Sequence, residues 1–249
     1  MWQNTDELIH TIYFVILGYF LLGAVGFYFI NRRRSKPEAK ASYVKFLTYF
    51  IIINLIYWWV VWWSSFFPVL VIVIGLTGLG ELVFLFLRSG YRHPLFFLVA
   101  VICFAFLFSG FYNYSRLTYT VILYVFLIVS IFDSFSQISG QLWGKRKILP
   151  SISPNKTLGG ILGGAVIALA SGFLMKSLYQ DLTISSRIFF LGMTIFSAFL
   201  GDVISSIYKR KYGVKDFNQL IPGHGGFLDR FDSLIAAGAW TGFYMYLSS

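Results

Sequence analysis

The chain has 249 residues, of which 57% are apolar and only 12% charged, against about 25% charged in an ordinary soluble domain, which excludes a water-soluble globule. A single cysteine, Cys103, excludes an intrachain disulfide and a cysteine-built zinc site. The formal net charge of +10 would fit nucleic acid in a soluble protein. Here the bases flank apolar runs, so membrane orientation explains them and no nucleic-acid partner is expected.

Apolar windows at 8–30, 44–66, 69–87, 94–111, 118–138, 158–175, 187–206 and 231–247 come close to the ~20 residues that cross a bilayer. The expected fold class is therefore an all-α polytopic membrane protein with about eight transmembrane helices. The first window follows Asp6 and Glu7 rather than a basic stretch, so it reads as a span and not a secretion signal. Pro68, Gly75, Gly78 and Gly80 predict a break in the second and third spans. All but three of the 20 Lys and Arg fall in the connections after spans one, three, five and seven, the exceptions being Arg116, Lys176 and Arg187. Cytoplasmic loops carry the excess of bases. Those connections are thus expected in the cytoplasm, and both termini outside it. The basic stretch at 32–45 reads as topological. The loops at 141–157 and 209–230 also carry acids, glycines or a histidine and are expected to bind phosphate or anionic lipid. Two units are expected: N-terminal helices over 1–117, a scaffold that could admit lipid, and catalytic helices with cytoplasmic loops over 118–249.

Carboxylates in apolar spans cost about 2.5–3.5 kcal/mol each at mid-helix. Glu81 stands in span three, Asp133 late in span five and Asp202 late in span seven, while Asp229 and Asp232 open span eight. The orientation puts Asp133, Asp202, Asp229 and Asp232 near cytoplasmic ends, as one polar site would require. Other readings stay open: Asp133 facing water, Asp229 favouring a helix dipole, Glu81 pairing with a base. Asp229 and Asp232 share a helix face. Asp133, Ser136, Gln137 and Gly140 form a polar stripe, and Ser205 and Ser206 follow Asp202 by one helical turn. Carboxylates and hydroxyls without a cysteine or histidine cluster suit a hard cation, magnesium above all, held by one or two carboxylates and substrate phosphates. The run Ser153-Pro154-Asn155-Lys156-Thr157 offers a lysine point charge and a helix N-terminus for anions. The glycines that follow it, Gly159, Gly160, Gly163 and Gly164, read equally as helix packing. His224 reads as structural, as a phosphate hydrogen-bond donor or as a general acid.

The stretch Ser206-Ile207-Tyr208-Lys209-Arg210, then Lys215-Asp216, then Ile221-Pro222-Gly223-His224-Gly225-Gly226-Phe227-Leu228-Asp229-Arg230-Phe231-Asp232 resembles the signature of phosphatidate cytidylyltransferases, the CDP-diacylglycerol synthases. Asp133-Ser134, Gly140, Gly144-Lys145, the run 153–157, Gly201-Asp202 and Glu81 are similar to further motifs of that family. The resemblance implies transfer of a cytidylyl group from CTP to phosphatidate, giving CDP-diacylglycerol and pyrophosphate, with magnesium and room for a second metal ion. It also implies a helical homodimer in the inner (cytoplasmic) membrane, with its site facing the cytoplasm. Carried over, Asp202 and Asp229 become metal ligands with Asp232 in support. The catalytic set is then Asp202, Asp229, Lys156, His224, Lys209 and Arg230. Substrate-binding roles fall to Asp133, Ser153, Thr157, Arg210, Lys215, Asp216, Gly225, Gly226 and Asp232. The chain departs from the family pattern at Ser205, Leu158-Gly159-Gly160, Tyr208 and Asn218. Those departures leave two alternatives, a CTP-using transferase for another lipid phosphate or lipid alcohol, and an inactive paralogue.

Overall fold

The computed structural model describes residues 2–32, 34–180, 182–218 and 225–248. Within them lie eight α-helices: α1 (Trp2–Asn31), α2 (Lys36–Trp62), α3 (Phe67–Arg88), α4 (Pro94–Ser115), α5 (Tyr119–Trp143), α6 (Leu158–Leu174), α7 (Ile184–Lys211) and α8 (Leu228–Ser248). Six of them, α1 to α5 and α7, are long and apolar enough to cross a membrane. At 17 residues α6 is shorter than a full span. In α8 a charged first turn, Asp229-Arg230 with Asp232, dilutes an otherwise apolar helix. The chain is a multi-pass membrane protein by these spans.

A lipid environment leaves no water to satisfy a polar group, so each tends to find a protein partner. Tyrosines do this across the bundle. Tyr57 Oη donates to the Ile9 carbonyl at 2.7 Å, Tyr124 Oη to Gly172 at 2.9 Å and Tyr208 Oη to Leu82 at 2.7 Å. The central helix is α5, which contacts α1, α2, α6, α7 and α8 and buries an unbroken run from Val121 to Val129. The second hub is α8, packed against α3, α4, α5 and α7. Its charged first turn therefore lies inside protein rather than lipid.

The expected break in the second and third spans is corrected by the structure. Helix α3 runs unbroken from Phe67 to Arg88, with Pro68 in its first turn, where a missing N–H costs nothing. Gly75 and Gly78 admit neighbours instead: an added Cβ would run into the Phe108 ring at Gly75 and would come within 3.0 Å of Phe104 at Gly78. The chain turns between α2 and α3 in a short 3-10 segment, Ser64–Phe66.

The all-helical expectation also omits an antiparallel hairpin, β1 (Lys147–Leu149) with β2 (Ser153–Thr157). Its turn closes with the Ile152 N–H donating to Leu149 O at 3.2 Å, with Pro150 at the second position, a placement that proline's fixed φ favours. Thr157 ends β2 and caps α6, its Oγ1 accepting from the Gly160 N–H at 3.1 Å.

Gly201 decides how closely α7 meets α8, because an added Cβ would collide with the Asp232 carbonyl and lie 2.7 Å from Ala236 Cβ. Both obstacles belong to a buried helix and cannot swing away. Gly201→Val is expected to cost about 1–3 kcal/mol by overpacking and to part Asp202 from Asp232. A thermal-unfolding scan in detergent should show a lowered midpoint for Val and a smaller drop for Ala.

Candidate active site

The last turns of α7, the first turn of α8, the end of α5 and strand β2 meet at one end of the bundle. The last two residues of β2, Lys156 and Thr157, are its most buried pair. Lys156 Nζ lies 2.7 Å from Asp202 Oδ2, with the Lys156 and Asp202 side chains 17% and 37% exposed. One turn before Asp202, the Phe199 ring sits 4.7 Å from the same ammonium. Asp202 Oδ1 accepts from Ser206 Oγ at 3.3 Å. Asp133 on α5 lies within electrostatic reach of Asp202, Asp232 and Lys156. Asp232 on α8 feels Asp202, Lys209 and Arg230 and accepts from the Ser233 N–H at 2.8 Å. Three carboxylates from three helices thus share one field, with Lys156 as the cation held directly on one of them.

Asp229 stands apart from that trio. Lys209 Nζ approaches its Oδ1 at 2.5 Å, and its side chain is 2% exposed. The backbone N–H groups of Phe217 and Gly226 donate to its Oδ2 at 2.9 and 2.8 Å. Gly225 beside it holds φ +85°, and an added Cβ would lie 2.9 Å from Asp229 Oδ2, so the site takes glycine on two grounds. Asp229 therefore ties Phe217 and Gly226 to Lys209 of α7 and to the first turn of α8.

Glu81 has a parallel task. It accepts from the Phe227 and Leu228 N–H groups at 2.7 and 2.6 Å, and also from Asn218 Nδ2. The carboxylate thus caps the N-terminus of α8 from another helix, where its charge suits the dipole. Among the described residues no base forms an ion pair with it. Two family departures meet this hub, since Asn218 bonds Glu81 and Tyr208 bonds the carbonyl of Leu82.

One cavity of about 1460 Å³ takes in this region. Asp133, Lys156, Asp202, Lys209, Arg230 and Asp232 line its polar end, with Asp229 and Lys215 nearby. Tyr19, Phe20 and Phe27 of α1 and Ile52, Ile53 and Ile56 of α2 line its apolar walls.

The profile of the Cytidylyltransferase family matches residues 8–248, nearly the whole chain. The chain belongs to the cytidylyltransferase family. A phosphatidate cytidylyltransferase of Haemophilus influenzae is 41% identical over 131 residues, which is 51% of this chain and 46% of that protein. One from Staphylococcus haemolyticus is 44% identical over 116 residues, 46% of this chain and 44% of the relative. One from Staphylococcus epidermidis is 38% identical over 150 residues, 59% and 57% of the two. The chain spans about half the length of the curated relatives it matches.

Most residues expected of a cytidylyltransferase site come together in the cavity. Besides those above, Ser153, Thr157, Asp216 and Gly225 line it. Arg210 points elsewhere, its Nε donating to Ile152 O at 2.9 Å and its Nη1 to Val214 O at 2.7 Å. It ties the hairpin turn to the segment after α7. Gly226 is buried against Glu81 and Phe217. His224 lies outside the described residues. The segment at 32–45, read from sequence as topological, contributes Arg34, Glu38, Ser42 and Lys45 to the cavity. The signal was there: Glu38, Ser42 and Lys45 recur at i, i+4 and i+7 and so share one face of α2.

Among the described residues no group of three or more His, Cys, Asp or Glu is spaced to hold a metal ion unaided. Magnesium does not need one, since one or two carboxylates and substrate phosphates satisfy it. Asp202 and Asp232, with Asp133 beside them, supply oxygen donors facing one cavity, so this donor set fits a hard cation. The oxygens of Asp229 are taken by one ammonium and two N–H groups, which fits a bracing carboxylate better than a ligand.

Proposed function

We propose that this member of the cytidylyltransferase family transfers the cytidylyl group of CTP to phosphatidate, forming CDP-diacylglycerol and releasing pyrophosphate. The supporting observation is the cavity, which joins a corner of acids and lysines to apolar walls from α1 and α2. A reaction between a water-soluble triphosphate and an amphiphile needs both surfaces in one space. The matched relatives are named phosphatidate cytidylyltransferases, which agrees with this substrate pair.

In the proposed reaction a phosphate oxygen of the lipid attacks the α-phosphorus of CTP. The bond from that phosphorus to the bridging oxygen breaks, and the electron pair leaves with pyrophosphate. Such a transfer depends on positioning and charge neutralisation. Magnesium bound at Asp202 and Asp232 would supply part of that neutralisation. Lys156 supplies more: resting on Asp202, it has a phosphate oxygen as its alternative partner in the cavity. Phe199 beneath its ammonium limits where it can move. Lys209 is fixed by Asp229 and so presents its charge without searching rotamers. On this reading the polar end faces the cytoplasm, where CTP is dissolved.

The test is pyrophosphate release from labelled CTP by purified protein in detergent micelles containing phosphatidate. Release that needs both phosphatidate and magnesium, with CDP-diacylglycerol as the lipid product, is expected. Chelation by EDTA should abolish it and added magnesium restore it. Ser205, which lies beside Asp232 where the resemblance implies an acid, favours testing other acceptors. Turnover with a polyprenyl phosphate or a lipid alcohol and none with phosphatidate would overturn the proposal.

A further inference from the structure

The cavity holds a second group of cations, centred on α2. Lys45 on α2 lies within electrostatic range of Arg34, Lys215 and Arg230, and of the carboxylate of Asp216. None of Lys45, Lys215 and Arg230 has a carboxylate within ion-pair distance among the described residues. Glu38, on the same face of α2, is engaged by Ser35, whose N–H and Oγ donate to its Oε2 at 3.1 and 2.7 Å. Two buried polar atoms nearby have no hydrogen-bond partner among the described residues, Ser42 Oγ and Arg230 Nε. Ser42 is 5% exposed and lines the cavity. Buried donors are normally satisfied, and like charges that outnumber their counter-charge repel. An anion with several oxygens answers both.

We propose that Ser42, Lys45 and Arg230 form the subsite for the phosphate of the acceptor lipid, adjoining the corner at Asp133, Asp202 and Asp232 through Arg230. This inference rests on the lipid-phosphate reading above and names where that group is held. Position on α2 selects the lipid over the nucleotide. The next cavity-lining residues of that helix are Phe46, Tyr49, Ile52, Ile53 and Ile56, so an anion at Lys45 continues directly into an apolar wall. A doubly charged phosphomonoester with acyl chains matches that sequence of surfaces. Lys45 and Ser42 thereby become specificity determinants contributed by the N-terminal helices.

The test separates the two substrates. With dioctanoyl phosphatidate as acceptor, Lys45→Ala is expected to raise the KM for lipid about tenfold, the loss of one charge-assisted contact, and to leave the KM for CTP nearly unchanged. Ser42→Ala should act the same way more weakly, and Lys45→Arg should recover most of the affinity. Lys45 is exposed to the cavity, so these variants are expected to fold, and Lys45→Arg carries the comparison should the alanine variant not fold. Equal rises in both KM values, or no rise in the lipid KM, would overturn the proposal. Equilibrium binding of dioctanoyl phosphatidate in detergent, without CTP, keeps this test independent of turnover. If the wild type does not use CTP, the functional reading fails, and the subsite still stands if Lys45→Ala weakens lipid binding and falls if it does not.

Discussion

Asp202→Asn is expected to lower turnover with CTP and phosphatidate by about a hundredfold to a thousandfold, the scale of losing one preorganised electrostatic group, with little change in folding stability. The asymmetry follows from its surroundings. At 37% exposure the Asp202 side chain faces the cavity, and its contacts are Lys156 at 2.7 Å and Ser206 at 3.3 Å. Asparagine keeps the shape and the contact to Ser206. It loses the charge that holds Lys156 in place and the capacity to share a cation with Asp232. Steady-state kinetics beside a thermal-unfolding scan would check both halves. A variant that unfolds early, or that turns over like the wild type, would place Asp202 in structure rather than chemistry.

Lys209→Met is expected to act in the opposite manner, through folding first. The Lys209 and Asp229 side chains are 9% and 2% exposed and lie 2.5 Å apart. Removing one partner of a buried pair leaves the other charge stranded, at a cost of about 3–5 kcal/mol. Asp229→Asn should do similar damage from the other side, and it also weakens the hold on Phe217 and Gly226 that closes the loop. The double replacement Lys209→Met with Asp229→Asn should cost less than the two singles added, because no unpaired charge remains. Unfolding midpoints of the four proteins measure that coupling. A direct metal ligand would behave differently: Asp229→Asn would abolish turnover at an unchanged midpoint.

Periodicity and composition carried the helices. Every apolar window has its helix, and Asp133, Asp202 and Asp232 could be placed near one end because α5, α7 and α8 run between loops of known order. What sequence could not convey is which neighbour each polar group finds. Glu81 satisfies N–H groups at Phe227 and Leu228, far along the chain, and no local spacing encodes such a partner. Asp229 and Asp232 share a helix face, yet one is enclosed by Lys209 and loop backbone while the other lines the cavity with Asp202. The hairpin over 147–157 escapes a sequence reading because its strands are short, with Pro150 in the turn and Pro154 inside β2, residues that ordinarily argue against strand. Pro68 and the glycines of α3 read as a break because a glycine serving helix contact and one serving a kink look alike in a single sequence. The face of α2 with Ser42 and Lys45 was legible in spacing. Topology gave a sufficient reason for the bases there, so their second use stayed out of view.

On the proposed reading, carboxylates from α5, α7 and α8 meet around a cation that also holds a triphosphate. Electron paramagnetic resonance of manganese, a spectroscopic substitute for magnesium, tests it most directly. The wild type is expected to bind manganese tightly only when CTP is present, and Asp202→Asn and Asp232→Asn should each weaken that ternary complex while Asp229→Asn, where it folds, should retain it. Manganese and CTP binding untouched by the first two replacements would contradict the account.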